Sequence, residues 1–239
     1  MKVNWNYIKL LVLMVLLSGV YAFSSFRNAE KRVVDTPIEF VGENNLVLTQ
    51  ETVNKLLIQK FNGLKNKPKD VIILNTVEKV LEANEMVKSA QVYLTVNGEL
   101  TSKIIQRKPI GRIEGVSKFY LDDEGKRMPL SKSHSARVPI ISGKITEGNL
   151  KRAQKVLEFI NDDDFLRKNV IGLHFLETGN IILKLRVENY ILDLGDEKNL
   201  DAKFKDYKAF YKKAKKDKVL NAYKAVSLEY NNQVVCTKL

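Results

Sequence analysis

The sequence predicts an α+β protein: a single N-terminal transmembrane helix, a small domain of order strand, helix, helix, strand, strand, and a larger mixed β-sheet domain with helices. Three observations predict it. An apolar run, IKLLVLMVLLSGVYAF, fills residues 8–23. Two amphipathic helical patterns and an Asn-Gly hairpin signal follow within the next hundred residues. Beyond Pro109, short alternating segments recur around a helical stripe. At 239 residues, 44% of them hydrophobic, the chain can bury one large core or two smaller ones.

The apolar run is flanked by Trp5, Tyr7 and Phe26, residues suited to a membrane–water interface. Counted from Trp5, it supplies the roughly 20 residues that a helix needs to cross the hydrocarbon core. Lys9 lies one residue inside, where its stem can carry the ammonium back to the headgroups. Val20 and Ala22 form a small-residue pair suited to signal-peptidase cleavage, so a removed secretory signal is the competing expectation. Either route exports the bulk of the chain, since long domains translocate largely regardless of flanking charge. The expected layout is a cytoplasmic stub at 1–7, an anchor at 8–26, a solvated linker at 27–35, one domain at 36–108 and a second at 109–239.

Lys and Arg number 40 against 28 Asp and Glu, a formal charge of +12. Only Lys2 and Lys9 precede residue 27, so the exported part carries about +10, a bias suited to anionic lipid headgroups or acidic wall polymers. No stripe of Arg interleaved with aromatics points to nucleic acid.

Within 36–108, alternating Ile38 and Phe40 read as a strand closed by Gly42. Thr49 is placed to cap a helix carrying Val53, Leu56 and Leu57, and a second helix starts near Asn75 with Val77, Val80 and Leu81. Strands then run from Ala90 to Val96, with Val92, Leu94 and Val96 on one face, and from Leu100 to Arg107. Asn97-Gly98 turns between them. A three-stranded mixed sheet backed by two helices is the economical arrangement.

These segments resemble a POTRA domain, and specifically that of the FtsQ/DivIB bacterial division proteins: a strand ending in glycine, two helices, a strand with Val87, Ala90 and Val92, then Gln106-Arg107-Lys108-Pro109-Ile110. Glu85-Met86-Val87 departs from the family pattern, which usually has a proline there. The second domain continues the resemblance. Phe119 to Gly125 is similar to the family's acidic hairpin, and Val138 to Gly143 to its proline-containing strand. Ala153, Val156, Leu157 and Ile160 give a helical stripe, followed by strands near 170–176, 180–187 and 190–194. Lys203, Phe204, Tyr207 and Phe210 mark a further helix. The closing VSLEYNNQVV resembles the family's terminal strand pair, with Asn232 at the turn.

Candidate chemistry is sparse. Ser131 to Ser135 surrounds His134 with hydroxyls but lacks a nucleophile elbow and a third member, so it reads as a polar loop. His174 alternates within a strand, and Asp162-Asp163-Asp164 lacks the spacing of a calcium loop. The single Cys236 excludes an internal disulfide framework and thiolate clusters. The cluster Lys212 to Lys218 reads as cations at a helix C-terminus. No catalytic, cofactor-binding or metal-ligating residue is assigned, and the expectation is a protein that works through its surfaces.

The last strand, near Gln233 to Thr237, has no following strand to cover its outer side and is the expected free edge. The resemblance implies that this strand and the tyrosine before it receive an FtsB/DivIC-type partner, itself bound to an FtsL-type protein. That assigns partner-binding roles to Tyr230, Gln233, Val234, Val235 and Thr237. The resemblance further implies a non-catalytic scaffold of the division complex, single-pass in the cell inner (plasma) membrane and concentrated at the midcell septum. Other division proteins would meet its POTRA domain. The alternative is an exported envelope binding protein or chaperone with a cleaved signal peptide.

Overall fold

The structure is a computed structural model that describes residues 5–29, 31–42, 47–115, 117–131, 134–230 and 233–239. Contacts divide the chain into two units, Met1–Gln106 and Arg107–Leu239. Each has its own buried core.

The first unit begins with helix α1 (Trp5–Ala29), whose stretch from Trp5 to Arg27 is long and apolar enough to cross a membrane and is buried against nothing among the described residues. Strand β1 (Ile38–Val41), helices α2 (Gln50–Phe61) and α3 (Leu74–Glu82), and strands β2 (Val87–Leu94) and β3 (Leu100–Gln106) follow in the expected order. The sheet order is β1-β3-β2, with β1 parallel and β2 antiparallel to the central strand. Thr49 caps α2, its hydroxyl accepting the Thr52 N–H at 3.3 Å. Val53, Leu57, Val77 and Leu81 turn the two helices onto Ala90, Val92 and Ile104 of the sheet.

Two local expectations fail. Residues 31–35 are not a solvated tether: Val33 is fully buried in the core, and its backbone exchanges hydrogen bonds with Lys67 and Asn66. One apolar residue at the right place outweighs the charged neighbours, because they can keep their ends in water while Val33 leaves it. Val96 does not continue the face of Val92 and Leu94. The Thr95 N–H donates to Glu99 O and the Thr95 hydroxyl accepts the Glu99 N–H, which closes the turn early and leaves Val96 exposed.

The second unit is a nine-stranded sheet: β4 (Pro109–Ile113), β5 (Phe119–Asp122), β6 (Arg127–Met128), β7 (Ile140–Gly143), β8 (Val170–Phe175), β9 (Ile181–Leu185), β10 (Ile191–Gly195), β11 (Tyr223–Ser227) and β12 (Val235–Lys238). The order is β12-β11-β10-β9-β8-β7-β4-β5-β6, with parallel pairs at β4/β7, β7/β8 and β10/β11. Register aligns one row across seven strands: Ile113, Ile141, Leu173, Leu183, Leu192, Val226 and Cys236. This row faces helices α4 (Glu147–Asp162), α5 (Asp164–Asn169) and α6 (Leu200–Lys216), whose apolar stripes complete the core. Phe159 and Phe204 stack at 5.2 Å and join α4 to α6.

Asp163 departs from the solvated role expected of the acidic triplet: its carboxylate accepts the Phe165 and Leu166 N–H groups as the cap of α5 and pairs with Lys208 of α6. Gly143 closes β7 at φ 88°, where a Cβ would stand 2.1 Å from the Phe175 carbonyl oxygen.

At the start of this unit Arg107 donates to Asp122 at 2.7 Å. The Asp122 side chain is fully buried and also accepts the Glu124 and Lys126 N–H groups, so both carboxylate oxygens have donors. Removing Asp122 leaves the largely buried Arg107 with its longer, 3.4 Å contact to the partly exposed Glu124. Asp122→Ala is expected to lower stability by about 3–5 kcal/mol, measured as a drop in the urea midpoint of the circular-dichroism transition.

Candidate functional site

The two sheets end in four edge strands: β1 and β2 in the first unit, β6 and β12 in the second. An unpaired edge is a row of free backbone donors and acceptors, and three of these four are blunted. On β1, the Gln50 side-chain amide donates to Ile38 O at 3.0 Å. On the long strand β2, Glu78 accepts the Val92 N–H at 2.7 Å and Glu82 accepts the Ala90 N–H at 3.3 Å, two carboxylates one helical turn apart on α3. Strand β6 is only two residues long.

The fourth edge, β12, pairs with β11 on one side: Val235 opposite Ser227, Cys236 opposite Val226, Thr237 opposite Ala225. The Leu239 N–H donates inward to Ala222 O, so alternation along the strand points the backbone groups of Cys236 and Lys238 outward. No side chain among the described residues donates to or accepts from that outer rim.

The five expected partner residues divide by direction. Val235 is 42% and Tyr230 51% exposed, and Gln233 and Thr237 are exposed. Val235 continues a second row, Ser142, His174, Ile182, Asp193 and Ser227, on the face opposite the helices. Val234 instead packs half-buried against the core, as does Cys236, whose thiol pKa burial raises. The turn expected at Asn231-Asn232 lies outside the described residues. The flanking strands are shorter than a tight hairpin requires, ending at Ser227 and resuming at Val235. Beyond Ser227, Leu228 is buried and its N–H donates to Asp193 O at 2.7 Å, so the chain stays on β10 past its last pairing with β12.

Strand β12 reaches the outside of the sheet because α6 carries the chain across to β11. The α6 residue Lys203 is buried, and its ammonium donates to Leu194 O, Asp196 O and the Asp196 carboxylate at 2.7–3.0 Å. The hydrogen bond from Lys203 holds the Asp196 carboxyl below the usual carboxylate range. Tyr190 and Tyr207 share a buried 2.9 Å hydroxyl contact, and burial pushes the Tyr190 phenol up to about 12.

Sequence reasoning missed several of these groups. Lys203 reads as one position in a helical stripe, and Glu78 and Glu82 are not singled out by the sequence. His174, taken as a lone strand residue, meets the Ser142 hydroxyl at 3.0 Å, with no carboxylate joining the pair among the described residues. Ser135, read together with His134, approaches the Tyr120 hydroxyl instead; Lys132 and Ser133 lie outside the described residues. For Glu78 and Glu82 a signal existed, their four-residue spacing, but nothing marked the strand they would cover.

Residues 108–237 match the family model described as FtsQ/DivIB, C-terminal related, and the chain belongs to that family. It is thus a cell-division protein of a non-enzymatic family whose members take part in division-complex interactions. A comparison with curated proteins found no match. The apolar helix α1 is compatible with membrane anchoring.

Direction separates two neighbouring substitutions. Val234→Asp places a carboxylate against the core and is expected to cost about 1–3 kcal/mol, whereas Val235→Asp should stay within about 0.5 kcal/mol of the parent; urea midpoints of the two variants decide it. The Asp196 carboxyl, lowered in the folded protein, contributes stability that is complete above its unfolded value near about pH 4. That contribution is lost as pH falls through the folded value. Asp196→Asn should therefore flatten the acid limb of a stability-against-pH curve without changing its neutral slope.

Proposed function

We propose that this protein is a non-catalytic, membrane-anchored scaffold of the bacterial division complex, and that β12 is where it receives a partner. The observation that carries the reading is the contrast among edges: side chains of α2 and α3 engage outer backbone groups of β1 and β2, β6 is two residues long, and no side chain among the described residues engages the outer rim of β12. A partner segment laid alongside β12 would gain main-chain hydrogen bonds from Cys236 and Lys238 and side-chain selectivity from Val235, Thr237, Gln233 and Tyr230. Val234 then supports the strand from the core side. Family membership favours an FtsB/DivIC-type segment as the occupant, joined to an FtsL-type protein.

The β-α-α-β-β unit before Gln106 is read as a POTRA domain that meets further division proteins. Helix α1 is read as an uncleaved single-pass anchor in the inner membrane, with the large C-terminal part outside the cytosol. Confinement to a layer beside the membrane raises the effective concentration of equally anchored partners, so modest contacts suffice to link them to septal peptidoglycan synthesis.

The test is a pull-down of the full chain from detergent extracts. Tyr230→Glu together with Val235→Asp should abolish recovery of FtsB/DivIC-type and FtsL-type partners and leave the circular-dichroism spectrum and urea midpoint unchanged. Unchanged recovery would reject the β12 site. An N-terminal sequence of the mature protein beginning after Ala22 would favour a cleaved signal over the anchor, and a fluorescent fusion excluded from midcell would remove the septal assignment.

A further inference from the structure

The backbone of residues 31–35 binds two loops of the first unit. Lys31 O accepts the Lys69 N–H, Val33 exchanges bonds with Lys67 and Asn66, and the Val34 N–H donates to Gly98 O. The Lys69 ammonium ties the two loops together, donating to Thr95 O and Val96 O at 3.1 and 3.2 Å. At Gly98 (φ 96°) a Cβ would stand 2.8 Å from Arg32 O, so the hairpin tip rests directly on the chain leaving α1. Covalent reach then limits where these loops lie. Lys31 is two residues beyond the end of α1 and at most about 7 Å from it. With two helical rises back to Arg27, the loops start within roughly 10–12 Å of the helix's apolar limit. That span is comparable to a headgroup layer of about 5–7 Å plus a screening length of about 8 Å.

The side chains at this pole suit such a surface. Val34 is 59%, Val71 67% and Val96 80% exposed, an uneconomical set of aliphatics for a surface facing bulk water. The segments that carry them hold Arg27, Lys31, Arg32, Lys65, Lys67 and Lys69 against Glu30, Asp35, Asp70 and Glu99 in sequence; Lys65 pairs with Asp35 at 3.8 Å, and the Lys67 ammonium donates to Phe61 O. Beside Lys67 opens an apolar recess lined by Phe61, Leu64, Val71, Ile72, Ile73 and Val77. Short aliphatics ringed by cations on long stems are the side-chain chemistry of a peripheral contact with anionic lipid.

We propose that this pole, with Val71 at its contact and the exposed cations Lys31 and Lys65 beside it, seats on the anionic membrane surface from which α1 emerges. The inference rests on the anchor reading of α1. It makes the first unit a pedestal held close to the membrane rather than a body on a long tether, because residues 31–35 are bound to the domain and a single residue separates them from α1.

The test uses the full chain carrying Cys236→Ser, with a single cysteine introduced by Val71→Cys or, as control, by Glu85→Cys. Glu85 is exposed and stands just before β2, whose eight residues place it roughly 25 Å from the hairpin tip. Each variant carries an environment-sensitive fluorophore and is reconstituted in vesicles of phosphatidylcholine, with or without phosphatidylglycerol, containing a spin-labelled quencher lipid. The expected result in phosphatidylglycerol vesicles is quenching at 71 at least about two-fold above that at 85, reduced by high salt and by Lys31→Gln with Lys65→Gln, two exposed cations. Equal quenching at the two positions, with the protein still floating with vesicles after alkaline wash, overturns the seating and leaves the anchor standing. Quenching at 71 that is the same in neutral vesicles overturns the role of the cations. Failure to float after alkaline wash defeats the anchor reading and this inference with it.

Discussion

The parallel pairing of β11 with β10 is the constraint on which the rest of the second unit depends. Two parallel strands cannot be joined by a tight turn, so the chain must leave the sheet, cross it as a helix and return. Helix α6 makes that crossing, with Phe204 and Tyr207 in the core and Lys203 folded over the Leu194–Asp196 corner. Because the return strand lands outside β10, the antiparallel strand after it lands further out still, and β12 becomes the rim of a nine-stranded sheet. The position of β12 at the rim is therefore a consequence of topology: the crossover put it there.

The molecule treats its edges unequally, and the physical cost of each treatment is visible. Covering β2 occupies Glu78 and Glu82, two carboxylates that would otherwise be solvated, and aligns them by helical spacing on the N–H groups of Val92 and Ala90. Charge at an edge discourages an incoming strand. Strand β12 carries no such cover among the described residues, and its core-facing positions, Val234 and Cys236, anchor it while Val235 and Thr237 remain outside. One edge strand thus combines a fixed inner side with an open outer one. The first unit shows the same economy where it meets α1. Val33, Gly98 and Lys69 tie residues 31–35 to the domain with hydrogen bonds, while Val34, Val71 and Val96 stay exposed.

Much of this was legible from residue order. The apolar length of α1, the Thr49 cap of α2, the Asn97-Gly98 turn, and the stripe of Ala153, Val156, Leu157 and Ile160 depend on neighbours within one helical turn or one hairpin, and local patterns report local geometry. The linker failed as an expectation because Val33 is a single buried residue whose partners, Asn66 and Lys67, lie more than thirty positions away. The terminal strand pair forms as β11 and β12, but its strands stop at Ser227 and resume at Val235, bounds that no local pattern contains.

By itself the sequence determined the elements, their order and the bias toward positive charge, since these follow from periodicity, capping and composition. Tertiary structure decided which edges are closed, which of Val234 and Val235 faces the core, and which charges leave water. Arg107 with Asp122 and Lys203 with Asp196 illustrate the reason: each pair binds segments brought together only by folding, and a carboxylate's partner depends on where the chain returns rather than on what stands next to it.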